Sequence, residues 1–74
     1  MKQKKAVKQD FFQFVVSKDR RSGFIHFIMN QGLSECIHNT HDLGGVIVYY
    51  LDIFTKKNHK YIRNILNKYQ PDFL

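Results

Sequence analysis

The six residues 46–51, VIVYYL, constrain the fold more than any other stretch of this chain. Each is β-branched, aromatic or leucine, and such a run fits a pleated sheet better than a helix surface. It follows HDLGG (residues 41–45), whose Asp and paired glycines tolerate the positive φ of a tight turn. The preceding SECIHNT (residues 34–40) then reads as the other arm of a hairpin, a short, polar edge strand.

Two other readings of this stretch compete. Cys36, His38, His41 and Asp42 are metal-ligand types, and in a strand Cys36 and His38 would share a face. A structural zinc site, however, joins two ligand clips well separated in sequence, and outside this clip the chain offers His26 and His59. No metal and no cofactor are expected. Residues 33–51 also have the length of a helix-turn-helix, with Leu33, Thr40, Ile47 and Leu51 near core positions. Against it, His41 stands where the turn wants glycine and Asp42 where it wants an apolar residue. The would-be recognition helix, LGGVIVYYLDIF, has no Arg, Lys, Asn or Gln to read base edges.

The flanks complete the pattern. DFFQFVV (residues 10–16) is dense in aromatic and β-branched residues and reads as a strand over 10–17. A helix is expected over 20–31, with Asp19 as N-cap, Phe24, Ile25, Phe27 and Ile28 at helical spacing, and Gly32 as a left-handed C-cap. A hairpin between FFQFVV and FIHFIM competes with it. The last helix, over 58–69, has Asn58 as cap, a stripe of Tyr61, Ile62, Ile65, Leu66 and Tyr69, and Pro71 as its stop. Its opposite face carries Lys60, Arg63, Asn64, Asn67 and Lys68. Strands 10–17, 34–40 and 46–54 with helices 20–31 and 58–69 make an α+β chain. Its β-α-β-β-α order resembles the ferredoxin-like, split β-α-β superfold, helices on one sheet face, with PDFL a vestige of the last strand. The rival is a small all-α, helix-turn-helix-like bundle with helices over 6–17, 22–31 and 42–55.

Seventy-four residues make one domain, here 10–74 behind a basic arm at 1–9, and 43% hydrophobic residues exclude a disordered chain. One cysteine excludes an internal disulfide. With no signal peptide and no apolar run near the ~20 residues that span a bilayer, a soluble, cytoplasmic protein with no membrane role is expected. The net charge of +6 is unevenly spread. Residues 1–21 hold seven Lys/Arg against two acids and residues 56–74 five against one, while 22–55 hold three acids and no Lys or Arg. Basic ends of this kind concentrate polyanions.

Two functions follow from that layout, and neither is enzymatic, because nothing brings acid–base pairs into a pocket. The first is a small, dimeric nucleic-acid-binding regulator. Lys2, Lys4, Lys5 and Lys8 of the arm, Arg20 and Arg21, and Lys56, Lys57, Lys60 and Arg63 would contact phosphates. The second is a protein-interaction module, an inhibitor or adaptor using an apolar sheet face or edge. The sheet face away from the helices would carry Phe11, Val15, Val48, Tyr50 and Phe54, with Gln13, Val46 and Asp52 beside them. Aromatics on such a face resemble the base-stacking layout of RNA-binding sheets, although their strand signature is absent. Strand 10–17 would be an exposed apolar edge, which pairing with a second copy would cover as a homodimer.

Overall fold

The computed structural model describes residues 10–74. It is an α+β domain of a three-stranded antiparallel sheet and two helices. The elements are β1 (Phe12–Ser17), α1 (Arg21–Asn30), β2 (Ile37–Asp42), β3 (Val46–Leu51) and α2 (His59–Tyr69). The all-helical alternative is not supported: residues 12–17 and 46–51, helical in that reading, are strands paired with each other. The apolar run VIVYYL is the central strand. β1 lies on one side of it, from Phe12 opposite Leu51 to Ser17 opposite Val46, and β2 on the other, from Ile37 opposite Leu51 to Asp42 opposite Ile47. One irregularity, a bulge at His38, interrupts β2.

Strand alternation sorts the sheet into two faces. Phe14, Val16, Ile47, Tyr49 and Leu51 are buried in one cluster with Phe24 and Ile28 of α1 and Ile62 and Leu66 of α2. Both helices therefore cover the same face. The centre of that core is aromatic, the Phe24 ring lying 4.4 Å from Tyr49 and 4.9 Å from Phe14. Aromatic pairs of this kind add about 0.5–1.5 kcal/mol each beyond the area they bury.

Local details depart from the expected caps. Asp19 sits inside a 3-10 turn, Lys18–Arg20, and α1 starts from Arg20 with no side-chain cap. Asn58 does begin α2, but its carbonyl, accepting the Ile62 N–H at 3.1 Å, does the bonding rather than its side chain. Gly32 ends α1 at φ 70°, and Leu33 N–H then turns back to the Ile28 carbonyl at 3.0 Å. The hairpin turns at Leu43–Gly45, with Gly44 at φ 97°.

The C-terminus corrects the sequence reading most. PDFL is no strand: Gln70–Phe73 form a 3-10 turn. Phe73 packs against Phe14, Phe24 and Phe27 at ring distances of 5.3–5.8 Å. Gln70 reaches the outer edge of β1, where its Oε1 accepts the Val15 N–H at 3.0 Å and its Nε2 donates to the Val15 carbonyl at 2.6 Å. A primary amide carries the donor and the acceptor of a peptide group, so Gln70 stands in for one residue of a neighbouring strand. The β1 edge is thus closed at Val15 rather than open along its length.

Candidate nucleic-acid interface

The strongest local pattern is on α2. Ile62 and Leu66 are buried and Ile65 half-buried, which turns the opposite arc outward. Lys60, Arg63, Asn64, Asn67 and Lys68 are all exposed on that arc, and Lys57 continues it before the helix starts. No Asp or Glu occurs from residue 53 to residue 71. The helix carries no acid to pair with its cations, and among the described residues the single ion pair lies elsewhere, between Lys18 and Asp42 at 3.2 Å. The result is an outward row of guanidinium, ammonium and amide donors.

The other expected cations are divided. Arg20 and Arg21 are exposed, but they follow Lys18, whose N–H bonds Gly45 at 3.1 Å, so they lie at the hairpin-turn end of the sheet. Lys56 and Lys57 follow the opposite end of β3. The strand between measures ~17 Å at ~3.3 Å per residue, so the structure brings Lys56, Lys57, Lys60 and Arg63 together and leaves Arg20 and Arg21 apart. Lys2, Lys4, Lys5 and Lys8 lie outside the described residues.

The sheet face away from the helices is less apolar than expected. Val15 and Tyr50 are half-buried and Gln13 exposed, while β2 contributes Asn39 and His41, opposite Tyr50 and Val48. Val48 is buried, 7% exposed, without joining the core cluster. The Phe11 ring crosses the central strand to meet His38 at 4.5 Å, and Phe54 packs on His59 at 5.8 Å. The most exposed large hydrophobic side chains are elsewhere: Met29, Leu43, Leu74 and, at 66% exposure, Tyr61.

The Cys/His stretch does not converge. Cys36 lies in a 3-10 turn, Ser34–Cys36, and its side chain is part of the core. The turn and the following bulge break strand alternation, so Cys36 and His38 do not share a face. Burial pushes the Cys36 thiol pKa above its ordinary value. Asp42 serves the hairpin: its Oδ1 accepts the Gly44 N–H at 2.8 Å. That bond, and then Lys18, holds its carboxyl below the ordinary range. Among the described residues no three Cys, His, Asp or Glu side chains are placed to hold a metal ion. None of the helices described is long and apolar enough to cross a membrane.

A groove of about 190 Å³ lies where the α1 C-terminus meets the start of α2, with Leu33, Ile62 and Ile65 among its lining and Lys56 and Tyr61 at its side. Periodicity placed Tyr61 in the apolar stripe. One residue of helix turns the side chain ~100°, so Tyr61, next to buried Ile62, falls at the stripe's margin and faces out. No family model, curated protein or solved structure matches this chain.

Proposed function

We propose that this protein is a small basic regulator that binds nucleic acid, chiefly by phosphate contacts from the polar face of α2. The observation that carries the reading is the exposed row Lys57, Lys60, Arg63, Asn64, Asn67 and Lys68 on a helix without acids. Lysine and arginine on such a row neutralise phosphates, and the two asparagines between them can bond sugar or phosphate oxygens. The lysines of the basic arm add to the same potential, and Arg20 and Arg21 offer a second, separate contact. We read the β1-β3-β2 sheet, with β1 and β2 parallel to each other across β3, as the ferredoxin-like order with Gln70 in the place of a last strand.

A homodimer belongs to this reading, as does a cytoplasmic location. With Val15 engaged by Gln70, the proposed contact between copies is the sheet face around the half-buried Phe11 and Tyr50 rather than the β1 edge. That face also supports the second reading, a protein-interaction module, because both helices pack on the opposite side. Charge reversal separates the two. K60E/R63E strongly weakens binding of a random single-stranded or duplex oligonucleotide if α2 holds the phosphates, and R20E/R21E weakens it less. A K60E/R63E protein that binds like the wild type refutes the α2 assignment.

A further inference from the structure

The groove beside Tyr61 carries the reading further. Its lining includes three apolar side chains, Leu33, Ile62 and Ile65, and two amides, Gln31 and Asn58. Lys56 supplies its single charge, and no acid lines it. Tyr61 also lines it, yet 66% of this residue remains exposed, the largest fraction for any large hydrophobic residue described. At about 190 Å³ it is smaller than the ~300 Å³ at which sites for drug-sized ligands begin. There is room for one planar ring system and not for a large cofactor.

We propose that this groove receives one unstacked base of a single-stranded nucleic acid, stacked on Tyr61, with the adjoining phosphate on Lys56. Three features fit that occupant together. The apolar lining and an exposed aromatic ring suit a base's π-face. The amides of Gln31 and Asn58 each present a donor and an acceptor, the complement of a base edge. Lys57 and Lys60 lie between the groove residues Lys56 and Tyr61 in sequence, each next to one of them, so the groove adjoins the basic row of α2. Duplex DNA offers no free base, so the groove would distinguish single strands from duplex where phosphate contacts alone do not. This inference rests on the proposed nucleic-acid function and adds to it the strandedness of the ligand.

The test uses the full chain and a fluorescein-labelled single-stranded oligonucleotide, read by anisotropy beside a duplex of the same sequence. Tyr61→Ala should weaken the single strand by roughly tenfold, the scale of one lost base–aromatic stack, and leave duplex affinity and the salt dependence unchanged. Tyr61→Phe, which keeps the ring, should restore single-strand binding. Equal loss on single strand and duplex, or no loss with Tyr61→Ala while K60E/R63E still strongly weakens binding, overturns the groove and leaves the phosphate reading standing. No binding of either ligand by the wild type at low salt overturns both. Displacement of the oligonucleotide by adenosine monophosphate at comparable concentration also overturns it, the occupant then being a free nucleotide.

Discussion

Replacing Gln70 by alanine removes the side chain that closes the β1 edge. The wild-type amide makes two hydrogen bonds to Val15, at 3.0 and 2.6 Å, both part-buried and spanning 55 residues of sequence. A typical intramolecular hydrogen bond contributes about 1 kcal/mol net, so the pair is worth about 2. Water reaching the edge would return some of that, setting a lower bound of about 1 kcal/mol. In a domain of this size each kcal/mol shifts Tm by roughly 4–8 °C, and Gln70→Ala should therefore lower Tm by roughly 5–15 °C in differential scanning calorimetry. Gln70→Glu sharpens the test. At neutral pH its carboxylate can accept the Val15 N–H but sets a negative oxygen against the Val15 carbonyl, so it should be no more stable than the alanine variant. Once protonated, the acid can donate to that carbonyl. Its folded pKa is thus raised, and its stability relative to Gln70→Ala should rise as pH falls through that value. An alanine variant within a degree or two of the wild type would refute the strand-mimic role.

Other outcomes follow from the hairpin and the core. Asp42, whose carboxyl pKa is lowered first by the Gly44 N–H and then by Lys18, contributes stability above its unfolded pKa of about 3.9, lost as pH falls through the lower folded value. Asp42→Asn should be less stable than wild type at neutral pH and indistinguishable below that window, in denaturant titrations at several pH values. A Cβ at Gly44 meets nothing within 4 Å, but the backbone sits at φ 97°. Gly44→Ala should cost about 1–3 kcal/mol from the backbone alone, whereas Gly45→Ala, with open space and no positive φ, should be near neutral by the same titration. Cys36 is 4% exposed and its thiol pKa is raised, so its reaction with a disulfide reagent should be slow in the native protein and fast in denaturant.

The order of elements was legible because each rests on a local signal. VIVYYL and the Ile62, Ile65 and Leu66 part of the α2 stripe lie where their side-chain chemistry placed them, whereas Tyr61 faces out. His41 and Asp42 extend β2 so that the turn narrows to Leu43–Gly45, and strand ends moved by only a few residues. Non-local partnerships were not legible. Nothing in the string QPDF announces that Gln70 bonds Val15 or that Phe73 fills the gap beside Phe14 and Phe24, because both contacts join residues more than 45 apart. The bulge at His38 likewise inserts one residue that a strict period of two cannot anticipate. The same limit applied to the site. Helical periodicity sent Lys60 and Arg63 outward together, but only the fold separates them from Arg20 and Arg21, and only packing shows Tyr61 left outside the core.

The most direct test of the α2 interface is the salt dependence of nucleic-acid affinity, measured by anisotropy with wild type and K60E/R63E. Four exposed cations on and beside α2 imply that log K against log salt falls with a slope of roughly −3 or steeper, since each phosphate contact contributes ~0.7–0.9. Reversing two of them should flatten that slope by nearly two and weaken binding at every salt concentration. A slope near zero, or one unchanged by the reversal, would contradict the interface assigned to α2.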